Sequence, residues 1–277
     1  MSNNNYLLIG TITNDIYKES IFYGGSGVYS SLTAKNFGLN TMLVTSISKK
    51  VDLSFLGNIQ ILRQHSETIT TFEHKYESGR RVIYLKERSN LLGEELIPGI
   101  WESPMIVHVA PLCGEIDPQI VNHFSDSFKV LTAQGLLRVF DKNGKSKFDD
   151  QINMKDIFGI YDIVIFSIED IEYNWEFADK CANYTSLLVV TTGEKGCTIY
   201  FEGKKVSVEG DNLISVDTTG AGDVFSTAYT IYYQKTADPV LSARIANKVA
   251  AHSLEGIGFN SVPDSSIIKN ICLEMDL

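Results

Sequence analysis

The feature that most constrains the fold is an alternation: brief apolar runs rich in Val, Ile and Leu take turns with segments of helical pattern. The runs 6–12, 41–47, 105–110, 129–133, 162–167 and 187–192 are each too short for a helix and apolar on both alternate positions. Strands covered on both faces read this way. Between them the pattern predicts helices over 28–37, ending at Gly38, over 118–125 and over 170–183. Three more are expected near the end of the chain, over 221–234, 239–254 and 264–273. Strand–helix alternation is the signature of a doubly wound α/β architecture, a mainly parallel sheet with helices on both faces. Two segments, 16–23 and 68–87, instead alternate apolar with polar residues, with Glu77-Ser78-Gly79 as a hairpin turn. One wet face suits a small β-sheet lid standing off the main layer. A further hairpin is expected at 197–201 and 204–208 around Glu202-Gly203. No repeat or Pro-rich linker divides the 277 residues, so the expectation is a single domain, 1–277, with the lid segments inserted.

Composition narrows the partners. There are 24 basic and 34 acidic side chains, a net charge of −10, and no basic stripe interleaved with aromatics, which argues against nucleic acid as partner. No apolar run approaches a membrane span, and the start of the chain lacks the basic and apolar regions of a secretory signal. Cys113, Cys181, Cys197 and Cys272 lie too far apart for a CxxC motif and read as reduced thiols. A cytoplasmic location is the resulting expectation. The five histidines show no paired spacing for a zinc site, and a Walker A loop is absent.

The stretch richest in chemistry is Asp217-Thr218-Thr219-Gly220-Ala221-Gly222-Asp223. It follows a strand-like run, 213–216, and opens a helix whose apolar face is Phe225, Ala228, Tyr229 and Tyr232. Small residues let the backbone turn sharply and approach a ligand closely. The free N–H groups at the helix start, with the positive end of its dipole, attract anionic oxygens. Asp223 in that first turn could take a proton from a hydroxyl while the amides neutralise the group under attack.

This string resembles the DTxGAGD signature of the ribokinase/PfkB family of small-molecule kinases. The resemblance implies that Asp223 is the catalytic base and that Gly220, Ala221 and Gly222 form an anion hole. Other positions fall in family order. Asp15 matches an early substrate-contacting Asp, and Gly24-Gly25 the diglycine that hinges the lid. Thr191-Thr192-Gly193-Glu194-Lys195-Gly196 is similar to the TxGxxG turn beside the nucleotide, a role that would also bring in Thr218. Asn247 corresponds to a polar position on the helix bordering the adenine. ATP and Mg2+ are the implied cofactors, with room for a monovalent cation. Read on their own residues, Asp15 could shape a turn, Gly24-Gly25 could be a loop, and Asn247 could be a surface position.

Where the family carries NxxE, this chain has Ser167-Ile168-Glu169-Asp170. The resemblance makes Asp170 and Glu169 the metal-side carboxylates, while the residues alone equally read as a Ser N-cap followed by acidic first-turn residues. The stretches 110–116, 134–138, 140–144 and 255–258 look like the myo-inositol kinase-like branch, with Gln134 and Arg138 as substrate contacts; an ion pair is the alternative for Arg138. Tyr29 stands where ribose-type kinases have an Asn, and could be a core aromatic. The expected activity is therefore ATP-dependent phosphorylation of a sugar or cyclitol, with myo-inositol first. A nucleoside or ribose-type kinase and a noncatalytic binding or regulatory protein on the same scaffold are the alternatives. Exposed lid strand edges would allow a homodimer.

Overall fold

The computed structural model describes residues 3–77, 80–93, 96, 101, 103–211 and 217–275. Its first strand, β1 (Asn5–Gly10), shows why the apolar runs become central strands. Tyr6 and Leu8 are buried against one helical layer, and Leu7 and Ile9 against the other. On its two sides β1 pairs in parallel with β4 (Asn40–Ile47) and β8 (Ile106–Ala110). Beyond β4 lies β5 (Gln60–His65), and beyond β8 come β9 (Phe128–Thr132), β12 (Ile163–Ser167) and β13 (Leu187–Thr191), all parallel. The hairpin β14 (Cys197–Phe201) and β15 (Lys204–Val208) closes that edge antiparallel, as expected. Among the described residues this makes a nine-stranded sheet in the order β15-β14-β13-β12-β9-β8-β1-β4-β5. Strand order reverses between β1 and β8, so ligands are expected beyond the carboxyl ends of these strands.

One face is covered by α1 (Ser26–Asn36), α4 (Ala221–Thr236), α5 (Pro239–Ser253) and α6 (Ser265–Glu274). The other carries α2 (Met154–Phe158), α3 (Trp175–Cys181) and a 3-10 segment at Pro118–His123. The lid is a four-stranded sheet ordered β3-β2-β6-β7, from β2 (Thr13–Tyr17), β3 (Ser20–Gly24), β6 (Thr70–Glu77) and β7 (Arg80–Glu87). A small hairpin, β10 (Arg138–Phe140) and β11 (Ser146–Phe148), adjoins it, with the Leu85 amide donating to the Gly144 carbonyl.

Several sequence expectations change. The helix expected at 118–125 is a short 3-10 segment capped by Asp117, too brief to propagate as α-helix. The helix expected over 170–183 is split. A 3-10 turn, Ile168–Ile171, stops at Glu172 and Tyr173, both left-handed (φ 49° and 63°), and α3 starts afresh at Trp175 with Asn174 as its cap. β5, β10, β11 and α2 had no clear periodic signal. The expected strand at 213–216 and the turn residues 78 and 79 lie outside the described residues.

Of the four cysteines, all free, Cys113, Cys181 and Cys197 are buried. His108 is a core histidine: its ring nitrogens meet the Tyr6 hydroxyl at 2.6 Å and that of Thr132 at 2.7 Å, and burial pushes its pKa down to about 3. No helix among the described residues is long and apolar enough to cross a membrane.

Candidate active site

The loop at the start of α4 is built around a glycine. Gly220 is the N-cap, with φ of +79°, a conformation side chains rarely adopt. A Cβ there would also come within 2.3 Å of the Tyr29 ring. Tyr29, buried in α1, is thus the floor of the loop, and the core-aromatic reading of it holds. Asp217 braces the loop's other side, accepting from the Thr219 amide at 2.9 Å and the Gly258 amide at 3.1 Å. Above Gly222 there is open space, since a Cβ would meet nothing within 4 Å. The first amides of a helix lack intrahelical acceptors; that of Ala221 turns back to the Thr218 carbonyl, which leaves those of Gly222 and Asp223 for an anion.

Asp223, in the first turn, has its pKa pushed up to about 7. Burial is the largest cause, the Asp15 and Asp170 carboxylates add repulsion, and Arg138 opposes them. These four residues, from four separate segments, therefore share one electrostatic environment at the carboxyl ends of the parallel strands.

Asp15 is held at the base of the lid. Its carboxylate accepts from the Thr13 hydroxyl at 3.1 Å and lies so close to Gly24 that a Cβ there would sit 2.1 Å from it. At Gly25, with φ +81°, an added Cβ would lie 2.4 Å from the Thr11 carbonyl oxygen. The diglycine is thus a close-packing device between lid, Asp15 and α1.

Gln134, Arg138 and Asp170 converge. Asp170 Oδ1 accepts from Arg138 at 2.6 Å and from Gln134 at 3.2 Å, while Oδ2 accepts from the Ser167 amide at 2.9 Å in a capping box. Asp170 is buried and Arg138 nearly so. Arg138→Ala would leave that carboxylate buried without its cation. Breaking such pairs is strongly destabilising; with some water reaching Arg138, we expect a loss of about 3 kcal/mol in urea unfolding, partly recovered in R138A/D170N.

This arrangement bears on magnesium. Mg2+ requires an octahedral oxygen shell and keeps several waters. Asp170 spends both oxygens on protein donors, whereas Glu169, beside it, is exposed. Glu169 is therefore the carboxylate suited to a magnesium water shell. Among the described residues no cluster of three His, Cys, Asp or Glu could hold a metal by itself.

At the far side, Thr191 ends β13 and the next turn closes with the Thr192 amide donating to the Gly196 carbonyl at 2.8 Å. Gly193 (φ +62°) faces open space, and Gly196 (φ +93°) packs against the Val208 carbonyl. Thr218 stands in the turn before Gly220, and its carbonyl accepts from the Ala221 amide. Asn247 is buried in α5 rather than on its surface, and its amide donates to the Glu209 carbonyl at 2.8 Å. Sequence reasoning missed Tyr17, whose hydroxyl lies 2.7 Å from that of Thr219, and Asp217 as brace.

The fold and this loop define a ribokinase-like α/β kinase scaffold. Among the solved structures that share its architecture are the following two. One is a pyrophosphate-dependent kinase of the ribokinase family complexed with a pyrophosphate analogue and myo-inositol (TM-score 0.77, 18% identity, covering 93% of this chain and 98% of that one). The other is the ribokinase of Thermotoga maritima (TM-score 0.74, 18% identity, covering 97% and 99%). An uncharacterized sugar kinase of Archaeoglobus fulgidus is 34% identical over 82 residues, 29% of this chain; the chain spans about a third (33%) of that relative's length. The profile of the pfkB family carbohydrate kinases matches residues 59–265, and the chain belongs to that family.

Proposed function

We propose that this protein, as a single domain with an inserted lid, transfers the γ-phosphoryl group of ATP to a hydroxyl of a sugar or cyclitol, with myo-inositol the first acceptor to try. The observation that carries this reading is the Asp223 carboxyl, its pKa pushed up to about 7, set in the first turn of α4 beside the Gly222 amide. A base with that affinity for protons is matched to neutral pH. The acceptor hydroxyl would stand between Asp223 and Asp15, giving its proton to Asp223 as its oxygen attacks the γ-phosphorus. The bond to the β-phosphate bridging oxygen breaks, and ADP leaves. Gly220, Ala221 and Gly222 would cradle the transferring oxygens, with Gln134 and Arg138 at the acceptor's far side. Thr191, Gly193, Gly196, Thr218 and Asn247 would border the nucleotide. Magnesium, with Glu169 on its side of the cleft and Asp170 occupied by Arg138, Gln134 and the Ser167 amide, would supply charge neutralisation to the phosphates. In-line transfer needs positioning more than covalent help.

Two further parts of the reading concern setting. A cytoplasmic location suits the free cysteines. The lid's outer strand β3 exposes Ile21 and Phe22 beside Ile257 around a shallow cavity of about 390 Å³, an edge on which a second copy could pair.

The test is product formation from a panel of myo-inositol, ribose, fructose and nucleosides, with ATP and pyrophosphate as separate donors. Turnover of a cyclitol or sugar supports the proposal. Faster turnover of nucleosides moves the acceptor class, and binding without turnover under either donor replaces the kinase with a binding protein.

A further inference from the structure

The inner face of the lid carries a polar cluster beyond Asp15. Strands β2 and β6 run parallel with Asp15 opposite Phe72 and Tyr17 opposite His74. Alternation therefore points Asp15, Tyr17, Phe72 and His74 to the same side. The Tyr17 and His74 rings are stacked, with centroids 4.5 Å apart and planes within 5°. Arg81, from β7, donates its Nε–H to His74 Nδ1 at 3.0 Å, and its guanidinium lies over the Tyr17 ring. With Nδ1 accepting, the ring proton of a neutral imidazole must be on Nε2. Burial is the main cause that holds the His74 pKa below the ordinary value; Asp15 opposes it, Arg81 and Arg138 reinforce it, and the net direction is consistent with that neutral form.

His74 Nε2 is 3.3 Å from Asp15 Oδ1, yet among the described residues its N–H finds no aligned acceptor, although the side chain is only 4% exposed. A buried N–H without an acceptor is costly, and such groups ordinarily have a partner. The pair thus presents one acceptor, the carboxylate, and one unspent donor, Nε2–H, about one hydrogen-bond length apart. That is the spacing of neighbouring oxygens in a vicinal diol, where one hydroxyl can give its proton to Asp15 and the next can accept from His74.

We infer that His74, oriented by Arg81 and Tyr17, is a specificity-determining residue of the acceptor site and that it selects polyols bearing a vicinal diol. This rests on the kinase reading above and names its substrate class. A site built to hydrogen-bond a hydroxyl discriminates against the analogue lacking it, because its own polar groups are left unpaired.

The experiment compares the parent, H74A and H74Q on myo-inositol, ribose and their monodeoxy analogues, by calorimetric binding and by turnover. Alongside these, 15N–1H spectra of the histidine ring are recorded with and without each polyol. The parent should favour the diol over its deoxy partner roughly tenfold or more, the scale of one hydrogen bond. In H74A that preference should vanish, read as the ratio of kcat/KM and of Kd between the diol and its deoxy partner; H74Q, which keeps an N–H donor, should restore part of it. The unliganded ring should show its proton on Nε2, and this resonance should move when the diol binds. If the parent phosphorylates a polyol but all three proteins treat diol and deoxy forms alike, or the Nε2 signal is unmoved, the inference fails and the kinase reading stands. Diol-selective binding that depends on His74 without turnover keeps the inference and overturns the kinase. If none of these polyols binds, both fall.

Discussion

Asp223→Asn should abolish phosphoryl transfer while leaving the acceptor bound, with kcat lowered by at least the 10²–10⁴-fold typical of lost base catalysis. The amide is nearly isosteric and keeps the helix start intact, so a larger KM is not expected. The parent's own pH profile carries the same information. With the base pushed up to about 7, kcat/KM should fall about tenfold per pH unit below that value. Stability should move the other way. The folded protein holds on Asp223 a proton that the unfolded chain releases near pH 4, so stability is lost as pH rises from about 4 to about 7. Above pH 7 the parent therefore carries a half-buried charge that the Asn variant lacks. The inactive variant should melt several degrees higher at pH 8, with the difference shrinking toward pH 4; calorimetric melts across that range would check it.

The second large effect is expected from Gly220→Ala. An L side chain in the left-handed region costs about 1–2 kcal/mol, and this one would also press on the buried Tyr29 ring. The loop must shift, and the amides with it. Displacement of about 1 Å at a reacting centre can cost 10²-fold, so kcat/KM should fall about 10²-fold, with a lowered Tm. Gly222→Ala is the control, because its Cβ would meet nothing within 4 Å and it sits on an ordinary helical backbone; its melting temperature should match the parent's whatever its effect on the donor.

The three residues in these experiments were legible in the sequence because the motif is contiguous: one turn of chain carries glycine, alanine and carboxylate together. The doubly wound core was legible for a similar reason, each strand being a local apolar run. What failed was local in a different sense. The segment 170–183 has helical composition throughout, yet Ser167 and Asp170 close a capping box one turn long and the chain turns left-handed before α3. Gln134, Arg138 and Asp170 were recognisable as polar groups near strand ends, but Arg138's hold on Asp170 depends on two segments 32 residues apart. His74 was passed over because its meaning lies in the parallel register of β2 with β6, and no local pattern says which strand will lie beside which.

The hydroxyl contact between Tyr17 and Thr219 ties a lid strand to the loop that would cradle phosphate. Thermodynamic linkage is reciprocal. Whatever free energy the donor gains from a clasped cover, the acceptor gains equally from a filled cradle. The two substrates would then report each other's presence across the cleft, and whichever arrives first would help retain its companion.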